Sequence, residues 1–543
     1  RGQEVTAEFP FLTPGFIPYA HQREHLLEHR DDEYHALFWE TGSAKTMPVL
    51  ATGVHHFLLG NIDLLVVFAP NTVNSNWVLR ELPKCMDPDL PILSYIWDGT
   101  QTKKAAAIRE EFLAATGKLK VITVNFEAMS AHKRMVNNKA IRFLAQLLKA
   151  HEGRIMGAID ESDAIGDPKS TRSKRILKFG PHFKLRRITT GTPATESPFL
   201  LYSQCEFLKP GLLGYPSYEA FTLTHGIFKT KKFGKVGKTF VQCVGYRNLP
   251  ILKEKLRPFS SYKKKSECLD LPPKLYEIRT VTMTPEQTAA YRQMRELLVH
   301  AVTNTEGVVE FALAKNALHK LRKLHDIVIG YARVEVPYVG PPDQKPKNPV
   351  YKVLPLPTNR PAALIADLER LQGKVIIFTD CKPALLDLVP MLKKKFGEAS
   401  TVACYGGVPK AQRNESIDAF QDLASPVRFF VANQKTGGVG LTLTAASYVA
   451  FYSNGYSLRL RMQAEDRAHR GGLTHSVTYL DYVVPGTVDE KVFQAFEDKV
   501  DVASQVVPLF DFFMGNRVLT PEEREATTAP MDLDQLADLL ADD

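Results

Sequence analysis

Residues 463–470 read QAEDRAHR. On a helix Gln463, Arg467 and Arg470 stand at i, i+4 and i+7 and project from one face. Such a face is cationic and forked. A guanidinium is planar and permanently charged, and it grips two phosphate oxygens at once, so it suits charge spread over a transferring phosphoryl group. Just upstream, QKTGGVGLTLT (434–444) makes a glycine-rich turn after the apolar run VRFFVA (427–432). Gly438 and Gly440 with Gln463 and the two arginines therefore read as half of a site for a nucleotide's terminal phosphate. The alternative is a surface helix whose arginines pair with Glu465 and Asp466.

The other half lies some 400 residues earlier. ALFWE (36–40) runs into TGSAKT (41–46), and strand, glycine turn, Lys-Thr, helix is the context a phosphate-binding loop requires. Backbone around Gly42, Ser43 and Ala44 would cradle phosphates, Lys45 would reach the outer ones, and the Thr46 hydroxyl would ligate magnesium. The general pattern wants glycine where Trp39 and Ala44 stand. A third element is IMGAI (155–159), which presents Asp160 and Glu161 at its end. Asp160 is read as a second magnesium ligand and Glu161 as the group that orients or deprotonates attacking water.

These residues need rigid supports, and the chain supplies apolar runs of strand length between helical stretches. LLVVFA (64–69) ends in Pro70-Asn71-Thr72, VITVNF (121–126) repeats the design, and RRITT (186–190) leads into GTPATESP. Later strands are expected at 374–378, 427–432, 448–452 and 477–484. Runs apolar on both faces and alternating with helices predict α/β architecture with parallel sheets.

At 543 residues the chain is too long for one core, and its composition is that of a globular protein. No apolar run spans a membrane and no signal-peptide pattern opens the chain, so an intracellular, cytoplasmic protein is expected. The net charge of +9 favours a polyanionic partner. Six scattered cysteines without a CxxC pair indicate neither zinc nor disulfides.

Taken in order, the motifs resemble the Swi/Snf-like branch of superfamily 2 helicases and DNA translocases. HQREHLL (21–27) is similar to that family's adenine-reading segment, WETGSAKT to its phosphate loop, APNTVNSNW (69–77) and NFEAM (125–129) to its DNA-side blocks, and DESD (160–163) to its acidic box, with Asp163 where a histidine is usual. TGTPATESP (190–198) resembles the block linking the lobes, and KVIIFTD (374–380), GGVGLTLTAA (437–446) and QAEDRAHRGG (463–472) follow in family order. The resemblance implies two RecA-like lobes, a P-loop NTPase core with helical and hairpin insertions, that share one ATP. It puts Gln22 on the adenine, makes Arg467 and Arg470 arginine fingers, and sets Asn71, Thr72, Asn76, Trp77 and Asn125 on DNA. Asp163 puts the coupling of nucleotide to the rest of the site in question.

The expected organisation is a first lobe over 1–225, a basic hairpin, helical protrusion and linker over 226–350, a second lobe over 351–510, and an acidic tail over 511–543. In IFKTKKFGKVGKTFVQCVGY (227–246) the lysines 229, 231, 232, 235 and 238 flank Gly234 and Gly237 like the tip of a β-hairpin. Lys229, Lys231, Lys232, Lys235 and Lys238 would touch DNA phosphates without reading bases, or guard a strand edge. SYKKKSE (261–267) is linker or DNA contact, 334–357 is a proline-rich loop, and Thr284 caps a helix. Leu533, Leu536, Leu539 and Leu540 form a stripe in the tail that would dock on a protein partner or on the chain's own basic surface. The expected function is a monomeric ATP- and magnesium-dependent translocase on duplex or branched DNA, of phage or bacterial type. The alternatives are a strand-separating DNA or RNA helicase and a nucleic-acid-binding scaffold that has lost catalysis.

Overall fold

The computed structural model describes residues 8–71, 73–130, 139–194, 197–233, 238–303, 322–336, 350–437 and 442–494. Thr72, Lys235, Gly438, Gly440 and the acidic tail lie outside these residues. The chain divides into two compact units. One runs to residue 226 and resumes over 246–271; the other comprises 227–245 and continues from 272.

The first unit is built on a seven-stranded sheet. Its strands are β1 (Tyr34–Trp39), β2 (Leu64–Ala69), β3 (Ile92–Trp97), β4 (Leu119–Asn125), β5 (Ile155–Asp160), β6 (Leu185–Thr189) and an edge strand at Ser260–Lys263, in the order β3-β4-β2-β5-β6-β1 followed by the edge strand. Every neighbouring pair is parallel. Alternation explains the apolar runs. Leu64, Val66 and Phe68 of β2 join one core, while Leu65, Val67 and Ala69 join the other, because successive side chains leave a strand on opposite faces and helices cover both. Gly157 in β5 is required by packing, since a Cβ there would stand 2.3 Å from the Phe183 ring.

After residue 225, β7 (Gly226–Phe233) and β8 (Lys238–Tyr246) pair as the two-stranded sheet expected of the basic segment. Lys229 is exposed on it. The cluster at 261–267 is not a linker: its first residues form β9 (Ser260–Lys263), the edge strand beside β1, and Lys265 is buried with its backbone N–H on Glu40 Oε2 at 2.8 Å.

The second unit's sheet is also all parallel, in the order β10-β17-β16-β13-β15-β14. The strands are β10 (Lys274–Thr280), β13 (Lys374–Thr379), β14 (Thr401–Cys404), β15 (Phe429–Asn433), β16 (Ala446–Phe451) and β17 (Val477–Val483). Thus β10, within the stretch read as hairpin, protrusion and linker, is part of this sheet. The ends of the expected proline-rich loop are also strands, β11 (Tyr331–Val336) and β12 (Val350–Pro355), paired antiparallel. Thr284 does cap the helix Pro285–Thr303: its Oγ1 accepts the Gln287 N–H and Gln287 Oε1 accepts the Thr284 N–H, both at 3.2 Å. The six cysteines are unpaired, four of them buried. No helix among the described residues is long and apolar enough to cross a membrane.

Candidate active site

In a parallel sheet the loops that leave the C-terminal strand ends share one edge, where ligands gather. In the first unit β5, β6 and β1 are neighbours, with Asp160 paired to Thr189 and Thr189 to Leu37. That edge therefore collects the Asp160-Glu161 pair, the Thr189-Thr190-Gly191 turn and the loop 40–45. The three are stitched together. Thr189 Oγ1 donates to Asp160 Oδ1 at 2.7 Å, and a Cβ on Gly191 would stand 2.6 Å from Thr41 Oγ1 and 2.7 Å from its backbone nitrogen.

The loop 41–45 leads from β1 into the helix Thr46–Leu58. Gly42 adopts φ +87° and Ala44 φ +59°. The second value locates the departure from the glycine pattern: Ala44 occupies the left-handed region that glycine enters freely and other residues enter at a cost of about 1–2 kcal/mol. Two side chains from the helix Ala20–His29 hold the loop in that shape. His21 Nε2 lies 2.9 Å from the Ser43 carbonyl oxygen, and Gln22 Nε2 donates to the Ala44 carbonyl at 2.8 Å. Gln22 Oε1 accepts the Tyr19 N–H at 2.9 Å, so both ends of this buried amide are engaged within the protein. Lys45 is buried, with Nζ donating to the carbonyls of Trp39 at 2.9 Å and Glu40 at 3.1 Å. Thr46 is half-buried at the first turn, and its hydroxyl makes no hydrogen bond among the described residues.

Asp160 is fixed from three directions. Besides Thr189, the Glu161 N–H reaches Oδ1 at 3.0 Å and the Trp77 indole N–H reaches Oδ2 at 3.0 Å. This corrects one expectation. Trp77 is 1% exposed and packed in the first unit's core, so its indole supports Asp160 and does not face a DNA backbone. Glu161 has φ +54°, a strained conformation at the residue read as catalytic, and its Oε2 is buried with no hydrogen-bond partner among the described residues. The unusual Asp163 accepts from Thr190 Oγ1 at 3.2 Å and so ties the acidic box to the next block.

On the same edge the ends of β2 and β4 bring Asn71 and Asn125 together, Asn125 Nδ2 donating to Asn71 Oδ1 at 3.2 Å. Asn71 is exposed and Asn76 half-buried.

In the second unit the single-helix face is not observed. The helix Leu458–Glu465 stops at Glu465, and Arg467 and Arg470 lie in the turns after it. Gln463 sits in the last turn, buried, and its carbonyl accepts Arg467 Nε at 3.0 Å. Arg467 is 2% exposed; Arg470 is half-buried and donates to Thr442 Oγ1 at 3.0 Å. A buried network that sequence reading missed anchors this helix. Arg461 stacks on Phe451 at 3.5 Å, pairs with Asp481, and donates to Asn454 Oδ1 at 2.9 Å and Glu465 Oε1 at 2.8 Å. Lys274 bridges Glu465 and Asp466 at 3.1 Å each, and Tyr276 donates to Glu465 at 2.8 Å. Burial alone would raise the Glu465 pKa, but Arg461 and Lys274 outweigh it and hold the carboxyl below its usual range. The arginine-acid spacing i, i+4 of Arg461 and Glu465 was the available signal.

Residues 27–328, over half of the chain, match the SNF2-related domain, and residues 360–472 match the helicase conserved C-terminal domain. A mouse protein named SWI/SNF-related matrix-associated actin-dependent regulator of chromatin subfamily A member 1 is 25% identical over 448 residues, covering 81% of this chain and 38% of the mouse protein. YwqA of Bacillus subtilis (strain 168), named for ATP-dependent helicase or translocase activity, is 23% identical over 476 residues, covering 86% of this chain and 46% of its own length. The chain thus spans less than half the length of these relatives. The SWI2/SNF2 ATPase core of Sulfolobus solfataricus, solved with double-stranded DNA, is 21% identical over 95% of this chain and 98% of its own, with a TM-score of 0.36 that says nothing further about this chain.

Proposed function

The chain belongs to the SNF2-related family, and from that premise we propose that it is a DNA-dependent ATPase that moves along duplex or branched DNA without reading its sequence. The observation that carries the reading is the assembly on one sheet edge of a Lys-Thr phosphate loop, a rigidly held Asp160 and a Glu161 whose buried Oε2 lacks a partner among the described residues. Phosphoryl transfer needs these groups, and the loop that presents them is braced by His21 and Gln22.

In this reading the Thr46–Leu58 N-terminus and the loop N–H groups bind phosphate, and Lys45 exchanges its carbonyl partners for phosphate oxygens. Thr46 and Asp160 offer only oxygen donors beside the Glu161 carboxylate, a set that fits magnesium, and these two residues would hold it. When bound, that ion neutralises charge on the phosphate oxygens. Glu161 accepts a proton from water or orients it for attack. Arg467 and Arg470 stabilise the charge that develops on the transferring group. Asn71, Asn76 and Asn125 with Lys229, Lys231, Lys232, Lys235 and Lys238 are proposed DNA contacts, and replication forks or recombination intermediates are the proposed substrates.

Steady-state ATP hydrolysis is to be measured without nucleic acid and with single-stranded DNA, duplex DNA, a four-way junction and RNA, beside Glu161→Gln. Stimulation by duplex or branched DNA that is lost in Glu161→Gln is expected. No hydrolysis under any condition would overturn the proposal in favour of a binding scaffold.

A further inference from the structure

Three histidines meet under the end of the helix Ala20–His29, away from the residues assigned above. His25 and His29 stand one turn apart, so their rings leave the same face, and His35 meets them from the start of β1. Their ligating nitrogens all lie within 4.8 Å of one another. The His29 and His35 rings stack at 4.0 Å, and the His25 ring is 5.1 Å from His35 and 5.3 Å from His29.

Two further facts distinguish this cluster from ordinary core packing. His25 is 3% exposed and its Nδ1 is enclosed with no hydrogen-bond partner among the described residues, which for a buried nitrogen normally costs about 1–3 kcal/mol. Beside it, the Asp32 carboxylate draws two imidazoles to one oxygen: Oδ2 lies 3.0 Å from His29 Nδ1 and 3.2 Å from His35 Nδ1. Donor atoms of a tetrahedral ion with bonds of about 2.0–2.1 Å stand about 3.3 Å apart. The three nitrogens, within 4.8 Å of one another, must close by up to about 1.5 Å to reach that spacing, which the stacked His29 and His35 rings do by turning toward a common point.

We propose that His25, His29 and His35 bind one divalent transition-metal ion of the zinc class, with Asp32 as the adjoining carboxylate. Imidazole nitrogens with a carboxylate are a donor set suited to zinc and its borderline neighbours rather than to magnesium. His35 Nε2 lies 3.2 Å from Ser261 Oγ, which orients its ring from β9. The neighbouring Arg187 opposes a dication; its guanidinium is occupied with the carbonyls of His29 and Arg30 at 3.0 and 3.1 Å, and Asp32 supplies the compensating charge. The ion would pin the helix Ala20–His29 to β1. β1 leads into the phosphate loop and the helix braces it through His21 and Gln22, so metal binding would stiffen the frame that holds the loop. The proposal does not depend on the ATPase reading.

The test uses the full chain without a histidine tag, stripped of metal and titrated with cobalt(II), then zinc. One cobalt per chain with the visible absorption of tetrahedral nitrogen-ligated cobalt, displaced by zinc, and a melting temperature raised by zinc are expected. His29→Ala, at a half-buried position, should weaken cobalt binding by tenfold or more, and Asp32→Asn by about tenfold. His55→Ala, whose ring lies 3.4 Å from Asp31 outside the cluster, should leave it unchanged. Absence of both the cobalt spectrum and the zinc-induced melting shift in the unmodified chain overturns the proposal. So does binding that survives His29→Ala or is lost in His55→Ala.

Discussion

The indole N–H of Trp77 donates to Oδ2 of Asp160 at 3.0 Å, across 83 residues of sequence and within the buried core. A tryptophan from a segment read as DNA-facing therefore positions the carboxylate read as a magnesium ligand. Trp77→Phe keeps an aromatic ring but deletes the donor and part of the indole's volume, leaving a buried carboxylate oxygen short of one bond beside a small cavity. We expect a loss of about 1–3 kcal/mol in urea unfolding with reduced kcat, while DNA affinity and its salt dependence stay unchanged. A selective loss of DNA affinity would instead return Trp77 to the DNA interface.

Ala44 at φ +59° offers a test in the stabilising direction. Ala44→Gly removes about 1–2 kcal/mol of left-handed strain and gives back about 0.4–1 kcal/mol of unfolded-chain entropy. The variant should be equally stable or more stable than the parent by thermal unfolding, with ATP bound at least as tightly. Weaker ATP binding would show that the methyl group, not the backbone shape, matters there.

Gly191 sits where no Cβ fits against Thr41. Gly191→Ala must displace the phosphate loop from the block after β6, so KM for ATP should rise more than kcat falls. An unchanged KM would separate that block from nucleotide binding.

The two arginines should part company. Arg470 is half-buried, so Arg470→Ala should lower kcat by about 10³-fold or more with little change in melting temperature or ATP affinity. Arg467 is enclosed and bonded to the Gln463 carbonyl, so Arg467→Ala should lower both turnover and stability. Equal, small kinetic effects would remove both from the catalytic assignment.

Glu465 provides a pH signature. Its folded pKa lies below its ordinary value of 4.5, so its stabilising contribution is complete above that pH and is lost as pH falls through the lower folded value. Glu465→Gln should lower stability at neutral pH by about 1.5–3 kcal/mol and flatten the acid limb of the stability profile. An acid limb identical to the parent's would assign acid sensitivity elsewhere.

Apolar runs bounded by turn residues were enough to locate β2, β5, β13 and β17, because a strand covered on both faces must be hydrophobic along its whole length. Edge and mixed strands escaped. β10, whose middle residues are mostly exposed, and β9, rich in serine and lysine, carry no such signature. Their membership is set by hydrogen bonding to β17 and β1.

The sequence by itself determined the family and the order of its motifs: a Lys-Thr loop, an Asp-Glu pair and two arginines are local patterns, and local patterns survive in one dimension. It also determined the repeating apolar strands that require two parallel sheets. Only tertiary structure decided how each group is held. Trp77 meets Asp160, Gln22 grips the Ala44 carbonyl, and Arg461 meets Asp481, because partners of buried polar groups are chosen by proximity in the folded core, not by spacing along the chain. The same reason hid the histidine cluster, whose third member joins the helix pair only when β1 folds beneath it.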